Sequence, residues 1–333
     1  MSLAAPSGSG RRPTWILPVL AVGTGVVTYF LIILGSTVRV TESGMGCPGW
    51  PLCYGQLGPI DRFHSLLEQS HRYMVALVTV LVVLTAVAAW TFARERRSVL
   101  IPATAALGVI AIQIALGAIT VVTHNAPFTV ALHLLFGLIF LAVTWITVAA
   151  VLVPVVPTVG RRLRALGYTT VAMTFLLLIS GSMVVDGGAT YSCPSWPFCS
   201  ARGVPGPLVT IQYTHRLTVL VVSIFIVLFV MHVARRWRAI PGARLVADLV
   251  GILLLAQIAV GGLVATMSAP AVLQDLHIAL AAAIWAAVVA LASIGWLAAA
   301  DAAPGLGVQP SDALRSGGGK SLKMGTDSST EEG

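Results

Sequence analysis

Four histidines repeat along the chain at a spacing that suits metal ligation. His71 and His133 align with His215 and His277 when the sequence is shifted against itself by 144 residues. Each lies near the start of a long apolar segment, where ionisable side chains are costly and usually functional. Two histidines on facing helices of a bundle can hold a heme iron between them. The pattern predicts one heme site in each half of the chain, with structural or proton-relay roles as the alternatives. The other three histidines have no partner at this offset and are predicted to have no special role: His64 and His124 in loops, and His232 at a cytoplasmic helix end.

One carboxyl group distinguishes the two matching stretches. Glu68 precedes His71 by three residues, whereas Gln212 stands at the equivalent position of the second half. Residues three apart share one face of a helix, so Glu68 could accept a proton from a molecule bound at His71, or hold a water against it. Because Gln212 cannot do acid–base work, the difference predicts a reactive first half and an electron-transfer second half. The alternatives for Glu68 are a salt bridge to Arg72 and a favourable charge at a helix N-terminus.

Arginines accompany the histidines in the same register. Arg72 follows His71 directly, and Arg216 follows His215. Arginine binds carboxylates in a bidentate manner, so these side chains and Arg39 are candidates to bind the propionates of a heme. The alternative is that they anchor their helices at the membrane surface.

The four cysteines lie in two copies of the motif C-P-x-W-P-x-C. They predict the pairs Cys47–Cys53 and Cys193–Cys199, which are disulfide-bonded if these segments face an oxidising compartment. Each bond would then staple a loop, or serve as a redox-active pair because small Pro-rich loops can be strained and reducible. Zinc binding by the four thiolates is the weakest interpretation, since zinc pairs are usually spaced C-x₂₋₄-C.

The composition places the chain in a membrane. Of its 333 residues 57% are hydrophobic and only 10% charged, with a mean hydropathy of +0.92, whereas soluble domains have roughly 25% charged residues. The net charge of +8 comes from short clusters between apolar segments, and no nucleic-acid-binding motif accompanies them. We expect membrane lipid, and not nucleic acid, as the chain's surroundings.

Eight apolar segments are long enough to cross a bilayer as helices. They are approximately 15–38, 70–93, 100–122, 129–153, 166–185, 211–234, 245–266 and 272–298. The basic clusters fall on one side of these segments, and the positive-inside rule then puts both termini in the cytoplasm and the cysteine loops outside. The Ala-, Val- and Arg-rich composition suggests a bacterial cell membrane.

The chain is an internal duplication of four helices. Besides the histidines and cysteines, Gly35 matches Gly181, and Gln113 matches Gln257. An even number of crossings gives both repeats the same orientation, so we expect two pseudo-symmetric four-helix bundles related by an axis along the membrane normal. The predicted regions are a cytoplasmic tail (1–14), an N-terminal half (15–153), a cytoplasmic linker (154–165), a C-terminal half (166–298) and a disordered tail (299–333).

Taken together, these motifs resemble the heme A synthase family. The resemblance rests on the 4+4 helix duplication, a histidine on each even helix, E-x-x-H at the second helix and the paired cysteines, and it covers roughly residues 15–298. Members of the family oxidise the C8 methyl group of heme O to a formyl group, giving heme A for terminal oxidases.

The resemblance implies roles for each half. His71 and His133 would bracket the substrate heme, His215 and His277 would ligate a heme b cofactor, and Glu68 would be the family's catalytic carboxylate. It also implies that a farnesylating heme O synthase supplies the substrate, and it leaves the electron acceptor unassigned. The rival functions are a di-heme membrane cytochrome b, which leaves Glu68 and the cysteine loops without a purpose, and a transporter, which would need broken helices at the midplane.

Overall fold

Apolar segments of about 25 residues form helices in this protein, because a helix satisfies all its backbone hydrogen bonds internally. The computed structural model describes residues 15–57, 61–153, 159–199, 206–237, 240 and 242–300, and these contain eight long α-helices. The helices are α1 (Ile16–Val40), α2 (Phe63–Phe92), α3 (Arg97–Val122), α4 (Pro127–Leu152), α5 (Arg161–Asp186), α6 (Gly206–Arg236), α7 (Ala243–Thr266) and α8 (Ala271–Ala300). All eight are long and apolar enough to cross a membrane, which confirms the predicted all-α, eight-span fold.

Three helices begin five or more residues earlier than predicted. α2 starts at Phe63, α5 at Arg161 and α6 at Gly206, because the apolar pattern reports contact with lipid and the helices continue beyond it into the polar loops. The prediction that His64 lies in a loop was therefore wrong. His64 stands in the first turn of α2, where its Nδ1 atom is 2.8 Å from Oγ of Ser43.

The helices α4 and α8 lie at the centre of the molecule and join the two halves. The indole N–H of Trp285 on α8 donates to the carbonyl of Leu138 on α4 at 2.8 Å. The same indole stacks on Phe175 of α5, with ring centroids 5.6 Å apart. The described residues between 15 and 300 all belong to one compact unit, so the halves share a core.

The outer surface of this unit is apolar. Large side chains such as Leu217, Ile252 and Leu255 are exposed, which a soluble protein would not tolerate as a continuous surface. This is the surface expected of helices that face lipid. The predicted tails, 1–14 and 299–333, fall almost wholly outside the described residues, and the predicted division into two halves stays a prediction.

The clusters of neighbouring arginines and the disulfides occupy opposite ends of the helix bundle. Arginines stand at the end where α2 meets α3 and at the start of α5, whereas both cysteine loops lie at the other end. Arg96 donates to the carbonyl of Ala150 at 2.7 Å and so satisfies an acceptor at the end of α4. Which end of the bundle faces the cytoplasm stays a prediction.

The core of the second half depends on close packing around Phe229, which is fully buried. A Cβ atom on Gly167 would lie 3.1 Å from its ring. We expect Phe229→Ala to lower the free energy of unfolding by about 3–5 kcal/mol, the usual cost of an emptied aromatic site. Thermal unfolding in detergent measures this. Phe30→Ala, at an exposed position, is the control, and equal destabilisation of both variants would contradict the assignment.

Candidate functional site

Each of the four repeated histidines lies against a glycine of the preceding helix. The ring edge that contains Cε1 and Nδ1 faces the glycine in every case. A Cβ atom added at the glycine would lie 2.9–3.4 Å from the Cε1 atom. The contacts are Gly35 with His71 (3.1 Å), Gly117 with His133 (3.4 Å), Gly181 with His215 (3.3 Å) and Gly261 with His277 (2.9 Å). A larger residue would push the ring away, so the glycines determine where the imidazoles stand.

The tertiary structure brings the histidines together as the predicted pairs. His71 lies within electrostatic reach of His133, and His215 of His277. The side chains are half-buried, and the Nδ1 atoms of His71, His133 and His277 are fully buried without a hydrogen-bond partner. Unsatisfied buried polar atoms of this kind often mark a functional site.

The composition of each pair suits a heme better than a bare metal ion. Among the residues that the structure describes, no group of three or more His, Cys, Asp and Glu side chains could hold a metal ion alone. Two imidazoles are enough for a heme iron, because the porphyrin supplies the other ligands. The close glycine contacts and the donor set both fit such a group.

The repeated glutamines contact the histidines of α4 and α8. Gln113 donates to the carbonyl oxygen of His133 at 3.1 Å. The amide nitrogen of Gln257 lies 3.2 Å from Nε2 of His277. In this arrangement the amide N–H donates to the lone pair of Nε2, so a heme iron would replace Gln257 as the partner of that atom.

Glu68 is buried beside His71 and is paired with an arginine. Its Oε1 accepts a hydrogen bond from Nε of Arg72 at 3.1 Å, and Glu68 is only 7% exposed. The predicted alternative of a salt bridge is therefore present, and the catalytic role of Glu68 stays a prediction. Gln212 is equally buried, but its amide donates to the carbonyl of Ala189 at 2.9 Å. The second half thus uses this position to hold a loop.

The arginines that follow the histidines hold the cysteine loops. Arg72 donates to the carbonyls of three loop residues, and Arg216 donates to the three equivalent carbonyls. The acceptors are Cys47 (3.1 Å), Gly49 (2.6 Å) and Pro51 (3.3 Å) in the first half, and Cys193 (3.0 Å), Ser195 (2.9 Å) and Pro197 (3.0 Å) in the second. Each guanidinium therefore fastens a loop over the helix that bears the histidine. The propionate-binding role predicted for both arginines stays a prediction.

Arg39, the third propionate candidate, forms a salt bridge across the two halves. It pairs with Asp186 at the end of α5, whose other oxygen accepts from Ser182 at 2.6 Å. A second cross-half bond runs from Ser36 of α1 to Asp275 of α8 at 2.5 Å. Both aspartates were missed at the sequence level, although an acid inside or at the end of an apolar segment is a signal that could have found them.

Both predicted disulfides are present. Cys47 is bonded to Cys53, and Cys193 to Cys199, with Cα atoms 4.7 and 5.1 Å apart. These distances lie in the normal range for disulfides. A redox function of either bond stays a prediction.

Eight membrane-spanning helices with a half-buried histidine pair in each half define a polytopic membrane protein with two candidate heme sites. The sequence profile of the COX15-CtaA family, described as cytochrome oxidase assembly protein, matches residues 18–289. Since the match covers most of the chain, the protein belongs to this family.

Curated relatives carry a more specific name. A heme A synthase of Geobacillus thermodenitrificans is 32% identical over 251 residues, which is 72% of this chain and 79% of the relative. A heme A synthase of Geobacillus kaustophilus is 30% identical, with 73% and 80% covered. One from Shouchella clausii is 29% identical, with 78% and 90% covered. The similarity therefore extends over both halves of the duplication.

The arginine contacts predict how the disulfides respond to reductant. Arg216→Met removes three charge-assisted hydrogen bonds, each worth roughly 1.5–3 kcal/mol, so the loop should open and Cys193–Cys199 should be reduced at least about tenfold faster. Timed thiol labelling and mass spectrometry of the peptides measure the rate. Cys47–Cys53, which Arg72 holds, is the internal control. An unchanged rate for Cys193–Cys199 would mean that Arg216 does not restrain its loop.

Proposed function

We propose that this protein is a heme A synthase that oxidises the C8 methyl group of heme O to a formyl group. The observation that carries the proposal is the asymmetric duplication, in which both halves present a histidine pair but only one adds a buried carboxyl group. The family and the names of its curated relatives support the same activity. The relatives do not support the rival function of a di-heme cytochrome b.

The first half is the proposed reaction site. His71 and His133 would bracket the iron of heme O, and Glu68 lies one helical turn before His71. Oxidation of a methyl group breaks C–H bonds and releases protons, so a carboxylate at this position can accept them. The Nε–H of Arg72, 3.1 Å from Oε1, stabilises the negative charge that such a base needs.

The second half is the proposed cofactor site. His215 and His277 would hold the iron of a heme b, which supplies one-electron redox chemistry when bound. The protein's own contribution is to orient the two imidazoles: Gly181 and Gly261 set the ring positions, and Gln257 contacts Nε2 of His277. Gln212 brings no proton acceptor to this half.

The same orientation applies to both proposed sites. The positive-inside rule places the arginine-rich end and both termini in the cytoplasm of a bacterial cell, with the histidines and cysteine loops toward the outer face. Heme O is apolar and membrane-bound, so the farnesylating heme O synthase that makes it is the proposed supplier.

Replacing Glu68 tests the reaction site. Glu68→Gln gives the first half the side chain that the second half has at Gln212, so proton acceptance is lost while size and hydrogen bonding are largely kept. We expect heme A formation to fall by at least about a hundredfold, the lower range for loss of a general base, with heme b still bound. Mass spectrometry of extracted hemes and the absorption spectrum of the purified protein give both results.

Glu95→Gln is the matched control, because Glu95 is an exposed carboxylate in the turn between α2 and α3. It should form heme A at the wild-type rate. Full activity of Glu68→Gln would remove Glu68 from the reaction.

The glycine contacts test the cofactor site. Gly261→Ala adds a Cβ atom 2.9 Å from Cε1 of His277, so the ring must move and heme b absorbance should be largely lost. Gly251→Ala, in the same helix, is the control, since a Cβ atom there meets nothing within 4 Å. Both changes raise helix propensity equally. A normal heme b spectrum in the Gly261 variant would show that the position of His277 does not matter for binding.

A further inference from the structure

The two halves differ at the residue that contacts the first histidine of each pair. In the second half, Oγ of Ser180 lies 2.9 Å from Nδ1 of His215. The same hydroxyl lies 2.7 Å from the carbonyl oxygen of Leu177. A hydroxyl has one proton to donate, and the carbonyl can only accept, so Ser180 donates to Leu177 and accepts from Nδ1–H of His215.

The first half has no such bond. Gly35 and Gly181 are equivalent positions and both contact a histidine, so the residue before each is also equivalent, and Leu34 stands where Ser180 stands. The Nδ1 atom of His71 is buried and has no hydrogen-bond partner. Leucine cannot provide one.

The second histidines do not differ in this way. His133 and His277 both have a buried Nδ1 atom without a partner. The asymmetry around Nδ1 is therefore confined to His71 and His215, on α2 and α6.

A hydrogen bond to Nδ1–H has three effects on an imidazole that binds metal. It keeps the proton on Nδ1, so that Nε2 retains its lone pair, and it holds the ring in one orientation. It also makes Nε2 a stronger electron donor to the metal. Loss of such a bond typically lowers metal affinity about 10- to 100-fold.

We propose that Ser180 is a positioning residue that makes His215 a permanent heme ligand, and that Leu34 leaves His71 as a releasable one. A cofactor must stay bound through many turnovers, whereas a substrate heme must enter and its product must leave. The inference rests on the proposed function, because it assigns the second half to a resident heme and the first to a heme that exchanges.

Reciprocal substitutions test the proposal. Ser180→Ala should release heme b about 10- to 100-fold faster to apomyoglobin and should raise the midpoint potential of heme b, because a weaker donor stabilises the ferric state less. Ser180→Thr keeps the hydroxyl and should restore both values. Leu34→Ser should slow the release of heme from the first half and leave the potential of heme b unchanged.

Ser182→Ala is the matched control. It lies on the same helix, but its hydroxyl donates to Asp186, so neither the release rate nor the potential of heme b should change. Wild-type values in Ser180→Ala, or unchanged first-half release in Leu34→Ser, would overturn the proposal. Failure of the proposed function would give a different result. Either the wild-type protein would contain no heme b, or His215→Ala would bind as much heme b as the wild-type protein does.

Discussion

Both candidate sites depend on one kind of contact: each odd-numbered helix lies close against the histidine of the next helix. Without a side chain at Gly35, Gly117, Gly181 and Gly261, the helix backbones can lie against the flat edges of the imidazoles. Small residues are the usual means by which helices pack closely in lipid, where apolar burial gives little drive to associate. Here the same device leaves room for a histidine and fixes its position. Four repeats of one contact thus create two equivalent pairs of histidines.

Duplication has kept this framework and changed the residues around it. The arginines hold the cysteine loops through the same three carbonyls in both halves. The halves differ where Glu68 pairs with Arg72 but Gln212 bonds to Ala189, and where Leu34 replaces the Ser180 that contacts His215. The proposed division of labour, with reaction in one half and retention of a cofactor in the other, rests on these differences.

The interface between the halves combines apolar packing with polar contacts at the end that carries the cysteine loops. Trp285 bonds to the backbone of α4, while Arg39 reaches Asp186 and Ser36 reaches Asp275. Charged groups at membrane depth are stable only when paired, so these contacts need both halves to form. They tie α1 of the first half to α5 and α8 of the second.

The eight helices, the histidine pairs and both disulfides could be predicted from the sequence alone. The length of the apolar segments, the residue types and the repeated motifs can each be recognised without knowledge of the fold. The true starts of α2 and α6 were not determined locally, since polar residues there find partners in distant loops. Only the tertiary structure showed that Arg72 and Arg216 bind loop carbonyls and that Arg39 binds Asp186. A guanidinium can bind any nearby acceptor, and the fold decides which acceptors are near it. The Ser180 contact with His215 was decided in the same way: a serine in an apolar segment is unremarkable until a neighbouring helix brings a ring nitrogen to it.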